Sequence, residues 1–174
     1  SAGLPFAFQA LHQAEPSGHP RALLRRSATA LLDIASDPNG DLVPRVHAFN
    51  ILKVAFADAE LVPDTVQLAA EGICVSVNAL SAPHWEVRNA ASLALAAALL
   101  RVLGHTSMNS GSSGASGANP IGATAAELFR RHPKLRGFLL QQLQNAAGAR
   151  DARGAAPHPS LHPVLCLLAR IRHD

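Results

Sequence analysis

At 174 residues the chain is long enough for one domain with a real core; 48% of it is apolar but only 4% aromatic. With no tyrosine and one tryptophan, that core is mostly alanine and leucine, which favours close helix–helix contacts over a β-sandwich, where β-branched and aromatic residues are expected. The formal charge of +3 and a pI near 9.5 permit a polyanionic partner without demanding one.

Taken in order, Leu4, Phe8 and Leu11 are spaced as the inner face of a short helix over Ser1 to Ala14, with Pro5 tolerable in its first turn. A second helix is predicted from Pro20 to Ala35, burying Leu24, Ala28, Leu31, Leu32 and Ala35 and turning Arg21, Arg25 and Arg26 outward. After the turn at Ser36 to Gly40, Pro44 starts a third helix. There Val46, Phe49, Leu52 and Phe56 face inward, and Arg45, His47, Asn50 and Lys53 fill the remaining arc. Asp64 reads as the N-cap of a fourth, with Val66, Ala70, Ile73, Val77 and Leu80 inside. Gly72 in mid-helix costs roughly 1 kcal/mol relative to alanine, and the close approach of a neighbouring helix would explain it.

Pro83 to Gly104 forms the central helix. Leu93, Leu95, Leu99, Leu100, Val102 and Leu103 point in nearly every direction, so the helix is expected to be buried all round. Only its first turn, with His84, Trp85, Arg88 and Asn89, offers polar chemistry, and Arg88 is expected to pair with an adjacent repeat. His105 to Pro120 reads as a flexible Gly/Ser loop. Thr124 to Glu127 is a capping-box signature, Pro133 bends and restarts the chain, and Gly148 to Ala156 is again loose. A last helix from Ser160 to Arg172 buries Leu161, Leu165, Leu168 and Ile171. The expectation is an all-α chain of about seven helices, a single HEAT/armadillo-like helical-repeat segment over 1–174.

The chain carries no glycine-rich nucleotide loop and no G-x-S-x-G, so catalytic residues are not expected. His158 and His162 are four apart, but Pro159 and Pro163 interrupt them and no third ligand is near, so no metal is expected either. Cys74 and Cys166 read as buried free thiols. There is no signal-peptide pattern or membrane-length apolar run, which points to a soluble, cytoplasmic protein, and the abrupt opening on Ser1 suggests a slice of something longer. Arg130, Arg131, His132, Lys134 and Arg136 form the densest basic run, a candidate phosphate-contacting corner. Asn50 is expected to bond a neighbouring helix or a partner.

Ser1 to Phe6, Pro44 to Lys53, Pro83 to Ser92, Phe129 to Leu135 and His158 to Ser160 occur in an order that resembles a domain of the thyroid adenoma-associated protein family. The resemblance implies a very large helical-repeat protein, non-catalytic, that helps present tRNA to a separate 2′-O-ribose methyltransferase acting in the anticodon loop. The enzyme, not this chain, would bind S-adenosylmethionine. Ser1, Gly3 and Pro5 look like the end of an Arg-Arg-Ser-Ala-Gly-Leu-Pro motif associated with that activity. On this reading Arg45, His47, Asn50, Trp85, Arg88 and Asn89 form a polar surface for RNA or partner, and Arg130, Arg131 and Lys134 contact phosphates. The alternative is a HEAT-type protein–protein adaptor without RNA contact.

Overall fold

The structure, a computed structural model, describes residues 3–16, 21–108, 124–150 and 158–171. Among them are eight helices and no strand: α1 (Leu4–Gln13), α2 (Ala22–Ser36), α3 (Leu42–Ala57), α4 (Val62–Ala79), α5 (Trp85–Met108), α6 (Ala125–Arg131), α7 (Pro133–Arg150) and α8 (Leu161–Arg170). The all-α architecture expected from an Ala/Leu core is therefore what forms. Contacts divide the chain into two compact units, Ser1–Arg101 and Val102–Asp174. No helix among the described residues is long and apolar enough to cross a membrane.

In the first unit α2 lies against α3 and α4, and α1 lies on α3. Leu24, Ala28, Leu32 and Ala35 recur every three or four residues and supply the inner face of α2. They meet Phe49, Leu52 and Phe56 of α3 and Ala69, Ile73 and Val77 of α4, all buried. Burying each phenylalanine contributes about 1.5–3 kcal/mol. At Gly72 the Phe56 ring lies against the α4 backbone: a Cβ there would sit 2.6 Å from Cε2 of Phe56, so only glycine fits the present packing.

Polar side chains fix the helix ends. Arg101 Nε donates to the Phe56 carbonyl at 2.6 Å and its Nη2 to the Asp58 carbonyl at 2.8 Å, closing the C-terminus of α3 with a cation where the dipole is negative. Asp58, itself buried, accepts from Gln9 Nε2 at 2.6 Å and Gln13 Nε2 at 2.8 Å through one oxygen, and from the Glu60 N–H at 2.8 Å through the other. Glu15 caps α2, taking the N–H groups of Leu23 and Leu24 at 3.1 and 3.3 Å. Burial opposes ionisation of Glu15, but the Leu23 N–H, the His12 ring and the Leu24 N–H outweigh it, so its carboxyl titrates below the usual glutamate range.

Several expectations are corrected here. α1 turns outward two of the three residues predicted to face inward, exposing Leu4 and Leu11, while Phe8 is half-buried against the buried His12; this rotation brings Gln9 and Gln13 to Asp58. Asp64 does not cap α4; the helix begins two residues earlier, and Asp64 Oδ1 accepts from the Arg21 N–H at 3.2 Å. Arg21, expected outward, donates through Nη1 to the Glu60 carbonyl at 2.7 Å. α5 starts at Trp85 rather than Pro83 and continues through Gly104 to Met108, since one glycine weakens a helix without ending it. Nor is α5 buried all round: Trp85, Asn89, Ser92, Leu93, Ala96 and Leu100 form one exposed stripe, with Leu100 70% exposed. Asn89 and Ser92 mark that side, and Leu93 and Leu100 lie on it because no element of the unit covers it.

In the second unit α7 packs on both α6 and α8. Thr124 Oγ1 accepts from the Glu127 N–H at 3.3 Å, as the capping signature predicts, and α6 ends before Pro133 opens α7. α7 runs to Arg150, so Gly148 lies inside a helix rather than in a loose stretch; residues 151–157 are outside the described residues. Likewise His105 to Met108 is helical, and the remainder of the expected Gly/Ser loop lies outside them. Leu128, Leu135, Leu139, Val164, Leu167 and Ile171 are buried. Leu165 is exposed, Val164 and Leu167 taking the inner face of α8 instead. Cys166 is exposed rather than buried, and Cys74 is half-buried.

Candidate functional site

Arg45 was placed by its charge on the outer arc of α3. It is instead only 5% exposed. Counting along the helix explains this: positions 45, 49, 52 and 56 share one face, and the other three are Phe49, Leu52 and Phe56, the core stripe. The guanidinium therefore enters between the ends of α2 and α4. Its Nη1 reaches the Pro38 carbonyl at 3.5 Å, the long limit of a hydrogen bond, and its Nε is buried with no acceptor. A buried donor left unsatisfied costs about 1–3 kcal/mol, and more when charged. Arg45 lines a cavity of about 290 Å³, with Ser36 and Pro38 from the end of α2, Asn78 and Ser81 from the end of α4, and Ala82 and Pro83 from the turn beyond.

That same turn holds the polar start of α5. Arg88 Nη1 donates to the carbonyls of Ala82 and Pro83, both at 2.8 Å. Its partner is thus its own preceding turn, not the adjacent repeat expected from sequence. Two residues beyond Pro83, Trp85 is 62% exposed. The structure therefore gathers Arg45, Trp85 and Arg88 around the α4–α5 turn. Asn89 is exposed on the next turn, its carbonyl accepting from Ser92 Oγ at 2.8 Å. His47 and Asn50 are half-buried on the side of α3 away from Arg45, and the Asn50 amide has no side-chain partner among the described residues. Gly3 is the N-cap residue of α1 and Pro5 lies in its first turn; Ser1 is outside the described residues.

The second candidate is the corner between α6 and α7. Arg130 and Arg131 close α6, where cations suit the negative dipole end. Lys134 and Arg136 are exposed in the first turns of α7, the positive end, where a cation gains nothing locally. His132 does not belong to this charge cluster: burial, then the neighbouring Arg131 charge, lower its pKa, and it is only 7% exposed. The corner thus presents four cations where sequence suggested five. Elsewhere in this unit His158 Nδ1 lies 2.7 Å from Ser160 Oγ, while His162 Nε2 lies 3.6 Å from Cys166 Sγ, so the two imidazoles serve different neighbours.

Sequence reasoning missed Ser36, Asn78 and Ser81, which are remote from Arg45 in the chain, and the convergence on Asp58. The burial of Arg45 did carry a signal, its i+4 and i+7 relation to Phe49 and Leu52.

These features, helices in succession with polar groups collected at their ends and turns, define a helical-repeat protein. The chain belongs to the THADA/Trm732 family: residues 1–86 match the family model described as THADA/TRM732, DUF2428, and residues 88–174 match that for Trm732, C-terminal TPR repeats. The boundary between these matches falls at the start of α5, whereas the two compact units divide after Arg101. The chain is 35% identical over 176 residues to the tRNA (32-2′-O)-methyltransferase regulator THADA of Chlorocebus aethiops and 34% identical over 176 residues to that of Homo sapiens. It is 25% identical over 185 residues to the tRNA (32-2′-O)-methyltransferase regulator trm732 of Schizosaccharomyces pombe. These alignments cover 98–99% of the chain but only 9% of the two animal proteins and 12% of the yeast one. No solved structure matches it.

Proposed function

We infer that the chain is an internal segment of a regulator of a tRNA 2′-O-ribose methyltransferase, working in the cytoplasm as a non-catalytic scaffold. The observation that carries this reading is similarity along 98% of the chain to proteins named as such regulators. Its physical mechanism is orientation. A stack of helical repeats, HEAT/armadillo-like in its pairing, holds the anticodon stem-loop so that a ribose hydroxyl meets the methyl donor bound by the enzyme. Gly3 and Pro5, with Ser1 before them, belong to the motif tied to activity. Trp85, Arg88 and Asn89 at the start of α5 face the enzyme or the RNA, the buried Arg45 beside that turn acts toward the enzyme, His47 and Asn50 offer a separate polar side of α3, and Arg130, Arg131 and Lys134 take phosphates.

The test is reconstitution of the full-length protein with its methyltransferase, comparing wild type with Arg88→Ala and Arg45→Ala. Reduced tRNA methylation is expected in both; normal methylation in both removes these residues from the site. A second reading, a protein adaptor without RNA contact, is favoured by one observation. Arg21, Arg45, Arg88 and Arg101 all direct donors at main-chain carbonyls of their own unit. Salt separates the two readings. Phosphate contacts make tRNA affinity fall steeply with ionic strength, with a slope reduced by about one for each of Arg130, Arg131 and Lys134 replaced, whereas the adaptor shows no such dependence.

A further inference from the structure

The guanidinium of Arg45 has no carboxylate partner among the described residues. It is 5% exposed and its Nε has no acceptor. Buried charges in proteins are almost always paired. Arg45 also lines a cavity of about 290 Å³, close to the lower end of the range for ligand sites. We propose that this cavity receives the carboxylate of an aspartate or glutamate presented by a partner polypeptide, with the Arg45 guanidinium as its ion-pair partner.

Two observations select a protein carboxylate over an RNA phosphate. The walls include Ala35, Val75, Ala79 and Ala82, small apolar side chains that suit the aliphatic stem of an acidic residue. Finally, Trp85, two residues beyond the lining residue Pro83, is exposed, and Arg88 is anchored to two of the lining residues; tryptophan and arginine are the side chains that most often anchor protein interfaces. An arginine–carboxylate pair in a small cavity walled by alanine and valine, with an exposed tryptophan close by in the chain, is a specific docking arrangement.

The proposal rests on the regulatory reading, which makes the methyltransferase the partner. It is tested on the full-length protein by measuring affinity for the methyltransferase and, separately, for tRNA, with circular dichroism to verify folding. The variants are Arg45→Gln, Arg45→Lys and Ser81→Phe, the last blocking the cavity from an exposed position while leaving the guanidinium in place. Arg45→Gln is expected to weaken the enzyme complex on the order of 30-fold, as truncation of a buried charge pair does. Arg45→Lys recovers part of the loss, Ser81→Phe reproduces it, and tRNA affinity is unchanged. Replacing the matching acidic residue of the enzyme by its amide gives the same loss and adds nothing to Arg45→Gln. Wild-type affinity in a folded Arg45→Gln protein, or in Ser81→Phe, overturns the proposal alone. Loss of tRNA affinity with an intact enzyme complex overturns it in favour of a phosphate ligand. A wild-type protein that forms no complex with the enzyme overturns the regulatory reading together with it.

Discussion

Gly72 and Gly137 allow one substitution to be read with opposite signs. Both lie inside helices, α4 and α7, where replacing glycine by alanine recovers about 1 kcal/mol of helix propensity. At Gly137 a new Cβ meets nothing within 4 Å, so Gly137→Ala is expected to stabilise α7 by about that amount. At Gly72 the Cβ would stand 2.6 Å from Cε2 and 2.7 Å from Cζ of Phe56, against an ordinary contact of at least 3.4 Å. The ring must therefore retreat by the difference, about 0.8 Å, yet Phe56 is 1% exposed in a close-packed interior. Overpacking of this kind costs about 1–3 kcal/mol, which cancels or exceeds the propensity gain. The two variants should thus differ by about 1–3 kcal/mol, a 5- to 150-fold difference in local opening constants. Hydrogen–deuterium exchange of α4 and α7 amides in the full-length protein reads this directly. Slower exchange in both variants, by similar factors, would refute the account, because it would mean that Phe56 does not hold Gly72 at contact. Gly72→Ala combined with Phe56→Leu should be less destabilised than the sum of the two single changes.

Arg101→Ala removes two charge-assisted bonds to the end of α3 and is expected to cost about 2–3 kcal/mol, read as faster exchange at the C-terminal amides of α3, with Arg101→Lys intermediate. Glu15→Gln should make the start of α2 less sensitive to acid. The lowered carboxyl pKa means that the folded state binds its proton less readily than the unfolded one. The stability it contributes is therefore complete above the ordinary value of 4.5 and is lost as pH falls through the lower folded value, so wild type and variant should converge on acidification in an exchange or melting series. Thiol labelling at pH 8 should modify Cys166, which is exposed, and spare Cys74. The Cys74 thiol is pushed up to about 11 by burial and by Glu71; equal labelling of both would contradict its placement.

What could be read from the sequence was whatever local chemistry decides. The inner face of α2, the Thr124 cap, the break before Pro133 and the close contact at Gly72 follow from periodicity, hydrogen-bonding side chains and backbone sterics within a few residues. The failures share a different cause. α1 is rotated by bonds to Asp58, which lies more than forty residues away in the chain. Asp64 is drawn from capping by the Arg21 N–H, and Arg101 serves another helix rather than its own. None of these pairings leaves a mark in the local pattern. At the candidate site the relevant residue types were visible, but the gathering of Arg45, Trp85 and Arg88 at one turn was not. Charge alone suggested an outer position for Arg45, whereas its spacing from Phe49 and Leu52 decides its burial.

The arrangement around Asp58 bears on how Gly3 and Pro5 are displayed. α1 exposes Leu4, Phe6 and Leu11 and offers little grease with which to grip its neighbours. Two glutamine amides clipped to one carboxylate act instead as a latch, and peeling the helix off would strand a buried anion. Gly3 and Pro5 are thus carried on a strut whose bearing is fixed by directional bonds, and a single Asp58→Ala exchange would leave it to swing.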